Sequence, residues 1–145
     1  IQGPLCDVPA VTGGTPTNLT IDDVWSGVIA LPFEFNFYGN PYSTIVAGAN
    51  GQLSFNAALA GTYNGWAMAP EDMIPTNDAN YPLNTIFGAY HDINPGVAPA
   101  APDRINYFVT GVAPFRIFVL NFNEVPQFGC NELLTTQQIL LYESL

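Results

Sequence analysis

Residues 33–55 decide the fold, and they read FEFNFYGNPYSTIVAGANGQLSF. Aromatic and β-branched side chains alternate here with polar ones, and Glu34 is the single charged residue. Alternation with a period of two is typical of a half-buried strand. The stretch therefore predicts three consecutive strands. A turn at residues 38–41 (YGNP) separates the first two, and Asn50-Gly51 favours a two-residue type I′ hairpin turn before the third.

Further strands are predicted on both sides of this stretch. We expect sheet structure to begin within residues 17–28 and to resume at 86–93 (IFGAYHDI), 104–110 (RINYFVT), 115–125 (FRIFVLNFNEV) and 135–142 (TTQQILLY). The 13 glycines and 13 prolines interrupt the chain too often for long helices. Seven or more short strands separated by turns predict an all-β fold, an antiparallel β-sandwich spanning residues 17–145.

Two segments fall outside the strand pattern. Residues 1–16 contain three prolines and three glycines, which favours an extended N-terminal arm that docks on the sandwich. Residues 56–85 show no persistent period, and such long irregular loops are usually functional or held by their own side chains. Tyr63, Trp66 and Tyr81 lie in this loop. They either anchor it to the sheet or offer aromatic rings to a sugar or a protein partner.

The charge balance excludes two classes of partner. The chain has no lysine, two arginines and twelve acidic residues, for a formal net charge of −10. Nucleic-acid binding depends on neutralising phosphates, so we expect none, and an anionic membrane surface is excluded for the same reason. No apolar run approaches the ~18 residues of a membrane helix, and the first ten residues lack the pattern of a signal peptide. We expect a soluble chain, either mature or excised from a longer protein.

Cys6 and Cys130 are the only two cysteines and lie near opposite ends of the sequence. A disulfide between them would close a long loop and stabilise the fold by at most about 5 kcal/mol. It would also imply an oxidising, extracellular setting. The alternative is two unpaired, buried thiols, because spacing alone does not establish connectivity.

Acidic residues suggest one metal site. Asp92 and Asn94, together with Asp22 and Asp23, supply the oxygen ligands that a hard cation such as Ca²⁺ prefers, and Asp103 is a further acidic residue. Their spacing is not that of an EF-hand loop. The alternative is that these side chains cap turns through local hydrogen bonds. No other cofactor is predicted.

Enzyme activity is not expected. His91 is the only histidine and sits beside Asp92, but no serine lies in a GxSxG turn that would supply a nucleophile. Glu34, Glu71, Asp72 and Glu124 could in principle supply a pair of glycosidase carboxylates, yet the sequence fixes no such pair.

Four motifs in order, FNFYGNPYSTIVAGANGQLSF, IFGAYHDINP, FVLNFNEVPQF and TTQQILLYE, resemble the nidogen-like extracellular β domains. The similarity is greatest to the version found in large secreted adhesion and gliding proteins of the Bacteroidota. It covers residues 18–143. The resemblance implies a secreted, non-enzymatic sandwich module with no catalytic residues, and one more strand after Glu143.

Two functional hypotheses follow from these observations. The first is a structural or adhesive module of an extracellular surface protein, whose copies or neighbouring domains associate into filaments by strand exchange at the chain ends. The second is a carbohydrate-binding domain in which Tyr63, Trp66 and Tyr81 stack on sugar rings and Asp92 or Asn94 binds hydroxyl groups or Ca²⁺.

Overall fold

A computed structural model describes residues 13–74, 76, 78–97 and 103–144. These residues form eight strands and one short 3-10 helix at Ala57–Leu59. The strands are β1 Thr15–Pro16, β2 Ile29–Phe37, β3 Asn40–Ala47, β4 Gln52–Ser54, β5 Thr85–Phe87, β6 Ile105–Thr110, β7 Ile117–Gln127 and β8 Cys130–Tyr142. No helix in the described part of the chain is long and apolar enough to span a membrane.

The strands make two four-stranded antiparallel sheets. Sheet I has the order β1-β6-β7-β8, and sheet II has the order β2-β3-β4-β5. One buried apolar cluster lies between them and takes side chains from both sheets. The predicted all-β antiparallel sandwich is therefore confirmed. Its core residues are Leu19, Ile29, Leu31, Phe33, Ile45, Ala47, Leu53, Phe55, Ile93, Ile105, Phe118, Leu120, Phe122, Val125, Ile139 and Leu141.

Strand β2 shows how the sequence pattern places side chains. Leu31 and Phe33 are buried in the core, and Phe35 and Phe37 pack partly buried against it, whereas Glu34 points to solvent. Successive side chains of a strand point to opposite faces of the sheet, so the predicted parity is the observed one. The Phe35 and Phe37 rings both lie against Phe55 of the segment after β4, with centroids 5.4 and 4.8 Å apart.

The two predicted turns differ in type. Tyr38 and Gly39 both have positive φ, 49° and 81°, and join β2 to β3 as a two-residue turn. The Asn50-Gly51 turn was predicted to be of this two-residue kind, and that prediction is wrong. Three residues, 49–51, lie between Gly48 and Gln52, where the Gly48 N–H donates to the Gln52 carbonyl at 2.9 Å. In this turn only Gly51 has positive φ, as expected of a three-residue hairpin loop.

Two strand predictions need correction. Residues 17–28 form no strand but an irregular strap, joined to the rest by single bridges from Val24 to Tyr63 and from Trp25 to Gly48. The strand predicted at 86–93 ends at Phe87, because the next residues turn away and bond to other elements. Ile93 then makes a single antiparallel bridge to Gln127 at the end of β7.

The predicted N-terminal arm lies mostly outside the described residues. Its last part, β1, pairs with β6 at the edge of sheet I. Cys6 also lies outside the described residues, and Cys130 is exposed at the first position of β8. The alternative of two buried thiols is therefore wrong for Cys130.

Candidate functional site

Three carboxylates converge at one end of the sandwich. Asp22 and Asp23 come from the strap, and Asp92 comes from the segment after β5. One oxygen from each lies within 4.8 Å of the others, and all three residues are half-buried. We call this group the acidic cluster. It includes three of the four residues predicted as metal ligands, although about seventy positions separate Asp92 from the other two. Asp103 is exposed and lies outside the cluster.

The fourth residue of the predicted metal site, Asn94, lies against the acidic cluster. Its Nδ2 donates to Asp22 Oδ2 at 2.9 Å, and its Oδ1 accepts from the Gly96 N–H at 2.8 Å. Both ends of the amide are therefore engaged. In this orientation Asn94 positions the Asp22 carboxylate, much as outer residues orient the ligands of a metal site.

Asn50 brings the strap and the segment after β5 together. Its side chain is fully buried beside the turn between β3 and β4. The amide Nδ2 donates to Asp23 Oδ1 at 2.8 Å and to the Asn64 carbonyl at 3.1 Å, while Oδ1 accepts from the Ile93 N–H at 3.1 Å. One amide thus joins the strap, the long loop and the segment that carries Asp92.

Asn64 and Gln52 extend this arrangement into a buried amide network. Asn64 Nδ2 donates to Gln52 Oε1 at 2.7 Å, and Asn64 Oδ1 accepts from the Asn50 N–H at 2.9 Å. Gln52 Nε2 donates to the Gly65 carbonyl at 3.3 Å. Asn50, Gln52 and Asn64 are all 0% exposed. Buried polar groups that are satisfied in this way rigidify a fold, so the long loop is fixed where it passes the acidic cluster.

Electrostatic repulsion is evident in the acidic cluster. Burial, followed by the nearby charges of Asp23 and Asp92, raises the pKa of Asp22 to about 6. Burial and the charge of Asp23 also raise the pKa of Asp92, and His91 partly offsets this. Among the described residues, Asp92 Oδ1 is a buried oxygen without a hydrogen-bond partner. The carboxylates of the acidic cluster are therefore partly removed from water, and Asp92 Oδ1 has no hydrogen-bond donor that would stabilise its charge.

The three loop aromatics have different positions. Tyr81 is 1% exposed, and its hydroxyl lies 2.5 Å from the Ala67 carbonyl and 2.6 Å from Asp72 Oδ2. Burial, together with the Asp72 contact, raises the pKa of Tyr81 to about 12. Tyr81 thus anchors the loop. Tyr63 and Trp66 are 53% and 41% exposed. Tyr63 makes an antiparallel bridge to Val24, next to Asp23 of the acidic cluster. Desolvation of the ring, followed by the charges of the acidic cluster, raises the pKa of Tyr63.

His91 makes two local contacts. Its Nδ1 lies 2.8 Å from the Ala89 carbonyl, and its Nε2 lies 2.9 Å from Thr135 Oγ1 on β8. A carbonyl can only accept, so Nδ1 carries a proton, whereas the Thr135 hydroxyl can either donate to Nε2 or accept from it. His91 therefore bonds locally, to the residues just before it and to β8. No serine of the described residues bonds to either ring nitrogen.

Strand β8 provides a second candidate surface. It has 13 residues and pairs with β7 along one edge, and no strand of the described residues pairs with its other edge. Glu132 is its only acidic or basic residue. Leu133 and Leu134 are each 51% exposed, as is Phe128 (58%) in the turn before β8.

Sequence reasoning missed the buried amides. The sequence pattern indicates Asn50 only as a turn former and gives no signal for Asn64, Gln52 or Tyr90. Tyr90 packs against the Tyr81 ring at 6.0 Å, and burial raises its pKa. The one available signal was the Asn-Gly pair followed by Gln, and it is also consistent with an ordinary exposed turn.

Comparison with known proteins identifies the family. A model of the nidogen-related (NIDO-related) domain matches residues 7–145. No curated protein and no solved structure matches significantly. The motifs that suggested a nidogen-like domain lie within the matched range, and the family is one of structural domains of extracellular context. The chain belongs to the nidogen-related family.

Proposed function

We propose that this chain is a non-catalytic structural or adhesive module of an extracellular bacterial surface protein, and that its copies associate by strand pairing at β8. Family membership supports the extracellular structural role. The observation that carries the association is the outer edge of β8, with which no other strand in the described part of the chain pairs. The physical reason is that an edge strand presents a row of backbone N–H and C=O groups, which can pair with another strand.

Strand β8 has few of the features that usually protect an edge. Natural edge strands are kept from pairing by short length, proline, lysine or several charges. β8 is 13 residues long, contains no proline or lysine and carries one charge at Glu132. The β7–β8 register is interrupted twice. At the first interruption the extra residues lie on β7, where Asn123 and Glu124 stand opposite Thr136 alone. At the second, residues 131–133 of β8 have no partner on β7, between the pairs Pro126–Leu134 and Gln127–Cys130. The outer edge available for pairing is therefore the part of β8 from Leu134 to Tyr142.

The partner proposed is a second copy of the chain. The net charge of −10 opposes association in general. The interface between two copies must therefore keep the acidic side chains of one copy away from those of the other. An antiparallel pairing of two Leu134–Tyr142 segments, centred on Gln138, leaves Glu132 of each copy outside the paired residues and so keeps the two Glu132 carboxylates apart. Near the end of β8, Glu143 is already neutralised by Arg116 in an ion pair of 2.5 Å.

Light scattering at two protein concentrations tests this association. The wild-type mass is expected to rise with concentration, to a dimer if β8 pairs with β8, or to polymers if residues 1–16 of another copy supply the strand. The double variant Leu133→Lys/Leu134→Lys is expected to stay monomeric, because lysines on an edge oppose pairing.

The matched control is Val112→Lys/Phe115→Lys, which changes two residues that are 76% and 68% exposed before β7. This control should associate like the wild type. A reductant in a parallel sample removes any disulfide through Cys130. A wild type that stays monomeric at both concentrations, or a β8 variant that still associates, would contradict the proposal.

Carbohydrate binding is the second candidate, favoured by the exposure of Tyr63 and Trp66 in one loop. Exposed aromatic rings can pack against the apolar faces of sugars. Because Tyr81 is buried, this candidate depends on the other two rings. Binding on a glycan array that disappears in Trp66→Ala but persists in Phe115→Ala would support it. A wild-type chain that binds no glycan on the array would contradict carbohydrate binding.

A further inference from the structure

The three carboxylates of the acidic cluster form no ion pair with a basic residue of the described structure. The only ion pair formed by the described residues joins Arg116 to Glu143, away from the cluster. Asp22, Asp23 and Asp92 nevertheless lie close enough that one oxygen from each falls within 4.8 Å of the others. Like charges at this separation repel, and a cation between the three carboxylates would remove that repulsion.

A second observation concerns one oxygen. Asp92 Oδ1 has less than 1 Å² of exposed surface and no hydrogen-bond partner. A buried carboxylate oxygen without a donor is costly, and such atoms in native proteins usually indicate a bound ion or water. The neighbouring carboxylates do not share this condition, because Asp23 Oδ1 accepts from Asn50 and Asp22 Oδ2 accepts from Asn94. The unsatisfied oxygen belongs to the third carboxylate of the same cluster.

We propose that Asp22, Asp23 and Asp92 bind one Ca²⁺ ion, which crosslinks the strap to the segment after β5. Asn94 and Asn50 are positioning residues, since their amides each hold one carboxylate oxygen and orient the remainder toward the ion. The proposal does not require association through β8. It draws on the extracellular location proposed above only for a supply of calcium.

The donor set selects the type of cation. The group offers carboxylate oxygens only, which suits hard cations and disfavours Zn²⁺. Both nitrogens of the neighbouring His91 are engaged by Ala89 and Thr135. The ligands lie on two irregular segments, and Ca²⁺ tolerates irregular geometry with 6–8 oxygens, whereas Mg²⁺ requires a near-ideal octahedron. Water would complete the coordination, because three carboxylates alone supply too few ligands.

The test is a calcium titration of the purified chain after chelator treatment, at a concentration where it is monomeric. Isothermal calorimetry should give one site with a Kd on the order of 10⁻⁴–10⁻³ M, the range of extracellular calcium modules. Saturating Ca²⁺ should raise the melting temperature by several degrees, and the same concentration of Mg²⁺ should raise it much less.

Asp92→Asn is the decisive variant. It keeps the shape of the side chain and removes one negative charge, so without calcium it should melt at or above the wild-type temperature. Its calcium response should be lost, with binding weakened at least tenfold. Asp103→Asn removes an exposed carboxylate outside the cluster and should respond like the wild type. A wild type without a calcium response, or an Asp92→Asn variant that keeps it, would overturn the proposal. Because association is measured separately, either proposal can fail alone.

Discussion

Asn50→Ala is expected to lower the free energy of unfolding by about 3–5 kcal/mol, since each buried polar group left without its partner costs ~1–3 kcal/mol. The Asn50 side chain makes three hydrogen bonds and is fully buried. Its removal leaves the Ile93 N–H without an acceptor and takes a donor from both the Asn64 carbonyl and Asp23. The lost hydrogen bonds would destabilise three segments at once, because the Asn50 amide joins the strap, the long loop and the segment carrying Asp92.

Urea denaturation followed by circular dichroism measures this effect. The matched control is Asn36→Ala, which removes an exposed asparagine from β2 and should change stability by no more than about 0.5 kcal/mol. A loss below about 1 kcal/mol for Asn50→Ala would show that the amide network does not hold the loop.

Gly51→Ala is expected to destabilise the fold more than the same change at Gly39. Both glycines have positive φ, 88° and 81°, where an alanine costs ~1–2 kcal/mol of backbone strain. A Cβ at Gly39 would meet no atom within 4 Å, whereas a Cβ at Gly51 would lie 2.8 Å from the Ala89 carbonyl oxygen. That backbone atom cannot rotate away, so the overlap should add about 1–3 kcal/mol at Gly51 alone.

The difference between the two alanine variants isolates this close approach, because the backbone strain is common to both. Thermal melting of the two variants under the same conditions provides the comparison. Equal destabilisation would mean that the turn and the segment after β5 can move apart at little cost.

Much of the fold follows from the sequence because strand pattern and burial are local. The parity of Leu31, Phe33, Phe35 and Phe37 predicts which face of β2 is buried, and the structure has the same face inward. The strand prediction for residues 17–28 was wrong for a physical reason. Their alternation is weak, and their backbone groups bond to Ala47, Thr62 and Gly61 of other segments rather than to one adjacent strand.

The candidate site was less accessible from the sequence. Asp22, Asp23 and Asp92 could be singled out by residue type, but their proximity depends on the path of two irregular segments. Asn50 determines that path through side-chain bonds over separations of 14, 27 and 43 residues. No local period encodes such contacts, so a buried Asn in a turn cannot be told from an exposed one by pattern alone.

The measurement that tests the proposed function most directly is hydrogen exchange of the β8 backbone amides, resolved by residue, in dilute and concentrated solution. Amides that bond to β7 should be protected in both samples, because that pairing lies within one chain. Amides on the outer edge should exchange rapidly when dilute and become protected when concentrated, as β8 pairs with a second copy. Outer-edge amides that exchange equally fast at both concentrations would contradict association through β8.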